Sequence, residues 1–301
     1  MSVLSLEGLL LTVACAVGWS VLDLMRKLLA GHASAVATAL LLVTGQIPLF
    51  VAWTVLDSRP LVELVPAADY WPVGVASIAL NLVANLAFMQ SVKLSPISRT
   101  VPLLSLTPVF TTLLAIPLLG EWPSGLQGLG IVVVVAASMV IARGASESVE
   151  GGFLVTLTKR GGLLMALVAL LWSVTPNLDK LALGHATASV HALILITGCA
   201  LGLAVLSAAQ GRWSEVKELF RSRSALGLLA ISVTAAAFAV GVQFLAYEHV
   251  AVGFVETVKR GIGAALALFA GRVLFQEHIG IGRLMAAAVM IAGVAAVMFG
   301  G

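Results

Sequence analysis

Charge is scarce in this chain. Only 10% of its 301 residues are Asp, Glu, Lys or Arg, against about 25% in an ordinary soluble domain. Hydrophobic residues make up 60% and mean hydropathy is +1.09. A soluble fold of this length has too little interior to hide that much apolar surface, so lipid must cover it. The net charge of +3 is small and unclustered, which argues against a nucleic-acid partner. Cysteine is nearly absent. Cys15 and Cys199 sit alone in apolar runs, without metal-ligand spacing or a disulfide framework, and read as small buried hydrophobes. The histidines show no metal spacing either: His32 and His185 fall at loop edges and His191 starts an apolar run. No Walker motif is present, which excludes direct drive by ATP. No nucleophile–base arrangement is visible, so no enzyme activity and no cofactor are expected. Strand alternation is missing, and open sheets cannot face lipid, which leaves helices. The N-terminus lacks a basic stretch before Glu7, so the first apolar run reads as a spanning helix and not as a signal peptide.

What the chain does have is long apolar runs. A spanning helix needs about 20 mainly apolar residues. Ten segments qualify: 5–25, 35–56, 71–92, 97–119, 124–142, 162–182, 188–209, 225–247, 252–274 and 281–299. Asp57-Ser58-Arg59-Pro60 ends the second, and Gly120-Glu121-Trp122-Pro123-Ser124 separates the fourth from the fifth. The expected fold class is therefore an all-α membrane protein of ten transmembrane helices.

The chain also repeats itself. Trp19-Ser20-Val21 returns as Trp172-Ser173-Val174, a shift of 153 residues (172 − 19). Lys27-Leu28, Gly31-His32-Ala33 and Thr44-Gly45 return in the same register as Lys180-Leu181, Gly184-His185-Ala186 and Thr197-Gly198. From Trp19 to Gly45, 14 of 27 positions match without a gap. The chain thus divides into a first five-helix repeat (1–143), a connecting linker (144–160) and a second five-helix repeat (161–301). Five is odd, so the second copy enters the membrane from the opposite side. Two inverted repeats related by a pseudo-two-fold in the membrane plane are a transporter architecture. Thirteen of the 17 Lys and Arg residues fall on the side away from the termini, whereas the termini side has only Arg59 and Lys180. The positive-inside rule then places both termini outside.

Several residues resemble the drug/metabolite transporter superfamily, in its EamA branch. Members begin each half with Trp followed eight residues later by Lys, here Trp19 with Lys27 and Trp172 with Lys180. They end the fourth helix with Gly-Glu, then place Gln six residues and Gly nine residues after the Glu, here Gly120-Glu121, Gln127 and Gly130. The second half keeps Glu277 and Gly293-Val294 but has Gln276, Arg283 and Ala286 where the pattern has Gly, Gln and Gly. The resemblance spans essentially the whole chain. It implies a transporter with cytoplasmic termini, opposite to the orientation that the basic residues indicate.

Ionised side chains inside a membrane cost roughly 2.5–3.5 kcal/mol or more and so need a reason. The ninth segment holds Glu256, Lys259 and Arg260, and spacings of three and four place them on one helix face. They are read as a charged patch lining a central cavity, against the alternatives of a self-neutralising triplet or snorkelling side chains. The Lys-Arg pair resembles that of the triose-phosphate translocators, a sister branch in which it grips phosphate. The resemblance implies an anion site at Lys259 and Arg260. There are two departures: Leu104 stands where that branch has a lysine, and Glu256 where it has a neutral residue. With Arg99 the patch carries about two positive charges, which suits a carboxylate or zwitterion as well as a phosphate.

Ser77, Asn81 and Asn85 form a polar stripe at helical spacing on the third segment, and Gln243 and Tyr247 a shorter one on the eighth. Each serves a cavity or bonds neighbouring helices. Asp23, Arg26 and Lys27, with Asp179 and Lys180 as their second-half counterpart, lie near helix ends. They read as interfacial anchors or as ion pairs gating the two mouths. Asp23 or Glu256 could take up a proton as coupling ion. The expected function is a secondary active or facilitative transporter in a bacterial-type inner membrane. It would move a small anionic or zwitterionic metabolite, such as an amino acid or phosphorylated compound, by alternating access. Its partners are then that solute, the bilayer and protons, with the chain a monomer or homodimer. Flippase-like handling of anionic lipid headgroups is the alternative.

Overall fold

Apolar runs bounded by Pro, Gly and charged residues give helices, because only internal hydrogen bonding satisfies a backbone in lipid. The computed structural model describes residues 5–29, 35–60, 62, 64–94, 101–143, 159–211, 213, 216, 223–274, 276 and 280–300. Among the described residues there are ten α-helices: α1 (Leu6–Leu29), α2 (Ala35–Leu56), α3 (Tyr70–Leu94), α4 (Thr107–Leu119), α5 (Gly125–Arg143), α6 (Arg160–Leu183), α7 (Ala188–Ala209), α8 (Arg223–His249), α9 (Val252–Leu274) and α10 (Ile281–Phe299). No strand occurs among the described residues. The ten predicted segments are all found, most within a few residues.

The fourth segment differs from expectation. A 3₁₀ turn, Val101–Leu106, precedes an α4 of only 13 residues. Proline explains the change: Pro102 and Pro108 lack the N–H donors that a continuous α ladder needs, and Pro108 sits in the first turn of α4, where that donor is not missed. The turn rises about 2.0 Å per residue and the helix about 1.5 Å, so together they still cover about 30 Å, the thickness of the hydrocarbon core.

Among the described residues, seven helices are long and apolar enough to cross a membrane. Their outward sides carry bare hydrophobics such as Val205 and Leu201, 70% and 63% exposed, which is the surface lipid covers. α9 is not among the seven, and its composition shows why: it holds Glu256, Lys259, Arg260 and Arg272.

The packing follows an exchange rule. α1 lies against α8 and α9, as α6 lies against α3 and α4. α2 lies against α8, as α7 lies against α3, while α2 meets α7, α4 meets α9 and α5 meets α10. Adding five to one helix and subtracting five from its partner turns each of these contacts into another of them or into itself. Repeat-related residues obey the same rule. Gly45 on α2 admits Val233 of α8, and Gly198 on α7 admits Ile78 of α3. An added Cβ would come within 2.7 and 2.6 Å of those side chains. Trp19 on α1 reaches Gln243 of α8, and Trp172 on α6 lies beside Phe88 of α3.

One face of the bundle gathers the start of α1 with the end of α6. Glu7 pairs with His249 at 3.7 Å, and Gly8 lies against Val250. Lys180 donates to the Val250 carbonyl at 2.7 Å. Ser124 binds the carbonyl of Gly300 at the same face.

Candidate functional site

Three groups of polar side chains stand out, and helix spacing assembles each. The first lies where α9 meets α8 and α1. Glu256 is 2% exposed. Its Oε1 accepts from the Tyr247 hydroxyl at 2.7 Å and from the Lys259 ammonium one turn along α9. Lys259 also donates to Gln243 Oε1 at 3.1 Å, and the same oxygen accepts from Trp19 Nε1 at 2.7 Å. The Lys259 ammonium stands 5.3 Å from the centre of the Trp19 ring, within cation–π range. Lys259 is therefore caged: its charge is balanced by Glu256, and its protons are taken by Glu256, Gln243 and the indole face. Arg260 is different. It is half-buried, and its Nε is buried without a hydrogen-bond partner among the described residues. A buried guanidinium N–H without an acceptor is costly, and an anion would relieve that cost. Glu256 and Lys259 cancel, so Arg260 supplies the positive charge of the patch.

The second group ties helix ends together at one face of the bundle. Lys180, near the end of α6, pairs with Glu121 at 2.6 Å. Glu121 follows Gly120, whose φ of 68° ends α4 in the left-handed region where glycine carries no Cβ penalty. Its other oxygen accepts the Val252 N–H at 2.8 Å, so the carboxylate sits on the positive end of α9. Together with the bond from Lys180 to Val250, this ties α4, α6, α8 and α9 at one point.

The third group joins α3, α6 and α7. Asp179 Oδ1 accepts from Ser77 Oγ and stands 3.3 Å from His191 Nε2. The other ring nitrogen, Nδ1, lies 3.0 Å from the Tyr70 hydroxyl. Tyr70, Ser77 and His191 are all 0% exposed, and Asp179 is 5% exposed.

The structure thus brings Glu256, Lys259, Gln243 and Tyr247 together. Asn81 and Asn85 direct their amide N–H groups to backbone carbonyls one turn back on α3, at 3.1 and 2.7 Å, and Asn81 also leans on Ser77. Asp23 and Arg26 pair with each other on α1 at 3.3 Å, with Asp23 70% exposed. Asp179 and Lys180 are consecutive but diverge: one turns to His191, the other to Glu121. Arg99 and the side chain of Lys27 lie outside the described residues. Sequence reasoning missed the cage role of Trp19, the pairing of Glu121 with Lys180, and the grouping of Tyr70 and His191 with Asp179, which it named only as an anchor or gate. The repeat pointed at Trp19 and the Gly-Glu motif at Glu121; nothing in the pattern pointed at Tyr70.

The motif residues also find physical roles. Ser124 Oγ accepts from Gln127 N at 3.1 Å while Gln127 Oε1 accepts from Ser124 N at 3.0 Å, a capping box opening α5. Gly130 and Gly293 face one another where α5 crosses α10. A Cβ at either would come within 2.7 or 3.1 Å of the other's carbonyl oxygen.

Comparison with known proteins agrees with this geometry. No curated protein matches the chain by sequence. A solved crystal structure shares its fold with a TM-score of 0.75, at 17% identity, over 96% of this chain and 95% of that one. Residues 6–143, the first five helices of this integral membrane protein, are similar to the EamA-like transporter family, whose model they match.

Proposed function

We propose that the protein is a secondary transporter of a small anionic or zwitterionic metabolite, working by alternating access between two inverted five-helix repeats in a bacterial-type inner membrane. The exchange rule in the packing supports the repeat. The meeting of the α1 start and the α6 end on one face supports its inversion, since equivalent helices then run oppositely. With Lys180 and Glu121 joined, that face is shut.

One observation carries the substrate class. On α9, Lys259 is consumed by Glu256, Gln243 and Trp19, whereas Arg260 keeps a buried donor without an acceptor. A planar guanidinium matches a carboxylate or phosphate as a two-pronged donor. That donor suits the carboxylate of a zwitterion as well as that of a simple anion. Energy comes from the gradient of the solute or of a coupling ion.

The test is a thermal-shift screen of purified protein against amino acids, organic acids and sugar phosphates, because a ligand that binds the folded state raises its stability by mass action. Stabilisation by an anionic or zwitterionic compound, lost in Arg260→Ala and kept in Arg59→Ala at the exposed α2–α3 loop, is the expected result. Stabilisation by cations alone, or equal stabilisation of Arg260→Ala, would overturn the reading.

A further inference from the structure

The His191–Asp179 pair has no part in the substrate site just described, yet it is the less balanced of the two buried ionisable clusters. Glu256 has Lys259 beside it. Asp179 has only neutral donors and one imidazole. If His191 is neutral and Asp179 ionised, every hydrogen bond is still made: Tyr70 O–H donates to Nδ1, Nε2–H donates to Asp179, and Ser77 donates to Asp179. The cluster then carries one buried negative charge. With one more proton it carries none, whether that proton makes an imidazolium or a carboxylic acid. A low-dielectric interior favours the uncharged total.

Among the described residues, no Lys or Arg pairs with Asp179. From α6 the nearest is Lys180, already committed to Glu121 and the Val250 carbonyl. From α3 the facing groups are Tyr70 and Ser77. From α7 there is Cys199, and from α8 Tyr247, both of which feel the Asp179 charge. From the α2 side, Asp57 accepts from Ser189 at 3.1 Å, two residues before His191, and is paired with Arg59 at 3.5 Å. The charged neighbours thus each have a partner of their own, Lys180 in Glu121 and Asp57 in Arg59.

Position adds the second strand. Asp179 precedes Lys180 in the chain, and His191 lies in the first turn of α7. The pair therefore lies toward the same face of the bundle as Lys180 and Glu121. It is also covered where Ala67 N–H binds the His185 carbonyl at 2.9 Å. Inward, the His191 ring packs on Phe244 at 4.7 Å, and Phe244 lies one turn from Tyr247, which binds Glu256. Phe244 and Tyr247 thus link the cluster to Glu256, and the chain itself links Asp179 to Lys180.

We propose that His191 and Asp179 form the proton-binding site of this transporter, holding one proton while the Lys180–Glu121 mouth is shut and releasing it to water when that mouth opens. The proton leaves the imidazole Nε2 or the Asp179 carboxyl for bulk water. The charge left behind is hydrated only in the open state. Transport of solute is thereby tied to a proton gradient. This rests on the transporter reading above.

Two measurements separate the readings. In the first, His32, His185, His249 and His278 are replaced by Gln so that His191 is the sole histidine. Nitrogen-15 NMR of its ring and carbon-13 NMR of Asp179 are recorded in nanodiscs at about pH 8, where a free imidazole is almost wholly neutral. One extra proton on the pair is expected, with loss of the imidazolium, or of the acid signal, in Asp179→Asn. A neutral imidazole beside an ionised Asp179 would overturn the proposal. In the second, proteoliposomes are tested with radiolabelled L-glutamate, L-alanine and glycerol 3-phosphate. One-to-one coupling gives about tenfold accumulation per pH unit of gradient. Asp179→Asn and His191→Gln should bring accumulation to onefold while counterflow falls far less. Accumulation by Asp179→Asn equal to wild type would sink the coupling site and leave transport standing. Wild-type protein that exchanges none of the probes would instead refute the transport reading, and the NMR arm would decide the proton site by itself.

Discussion

On the transporter reading, replacing Lys180 by Met should open the mouth that its pair with Glu121 holds shut. The thioether keeps the apolar stem and removes the ammonium, and with it the 2.6 Å pair to Glu121 and the 2.7 Å bond to Val250. The side chains of Lys180 and Glu121 are 23% and 17% exposed, so solvent screens them in part. Two charge-assisted bonds of this kind contribute about 2–4 kcal/mol together to the closed arrangement. At about 1.4 kcal/mol per factor of ten, the open population rises about 30- to 700-fold. Glu121→Gln should shift it less, because the amide oxygen still accepts the Val252 N–H. The assay is labelling of a cysteine placed at Thr112, in a background with Cys15 and Cys199 replaced by Ala. Thr112 is buried on α4, nine residues before Glu121 and hence about 13 Å deeper. An impermeant maleimide added at the Glu121 face should react faster in proportion to the open population. Rates in Lys180→Met within about twofold of the parent would refute the idea that this pair holds the mouth shut.

Other substitutions test the remaining contacts. Tyr247→Phe removes one of the donors to buried Glu256 and should cost about 1–3 kcal/mol in detergent unfolding. Lys259→Met strips the carboxylate of its cation and should cost more, about 3–5 kcal/mol, with much of the loss recovered when Glu256→Gln is added. Gly130→Val drives a side chain at the Gly293 carbonyl and should destabilise by about 1–3 kcal/mol, whereas the same change at Gly128, where an added Cβ meets nothing within 4 Å, should be tolerated. Gln127→Leu opens the capping box of α5 and should cost about 1 kcal/mol.

Much of the fold was readable because lipid imposes one rule on every span. Twenty apolar residues between polar breaks admit few structures other than a helix, so ten runs became ten helices. The exception came from proline: Pro102 and Pro108 turned the head of the fourth run into a 3₁₀ segment, which hydropathy alone does not register. The site was readable only where its groups share a helix. Glu256 and Lys259 meet because they are three residues apart on α9. Gln243 and Tyr247 sit four apart on α8, but that their stripe faces α9 is a fact of packing. His191 and Tyr70 are 121 positions apart, and a lone histidine or tyrosine in an apolar run carries no sign of its partner. Asp179 and Lys180 illustrate the limit best. As neighbours in sequence they suggest one ion pair, yet successive helical residues point about 100° apart, and each finds its partner on another element.

The two copies use the same scaffold for different chemistry. Gly45 and Gly198, and Trp19 and Trp172, occupy matching positions and touch matching helices. The segment equivalent to the α9 triplet shows no such match. Counting from Glu121 against Glu277 (277 − 121 = 156), Lys259 and Arg260 correspond to Leu103 and Leu104, which are 1% and 6% exposed and pack on Met165 and Val168 of α6. Alternating access needs only that the contacts between helices be exchangeable, so selection on the motion acts on glycines, small residues and closure points in both copies. Binding needs charge at one place, where it is balanced once. A second Lys-Arg pair in the α4 segment would add two cations facing no carboxylate, and burying them would cost several kcal/mol each. Installing Lys and Arg at Leu103 and Leu104 should therefore abolish folding unless acids are added beside them, whereas exchanging Gly45 or Gly198 for Ala should slow transport or lower stability by similar amounts in either copy. A variant carrying the installed pair that folds and transports normally would show that the asymmetry of the site is not an electrostatic necessity.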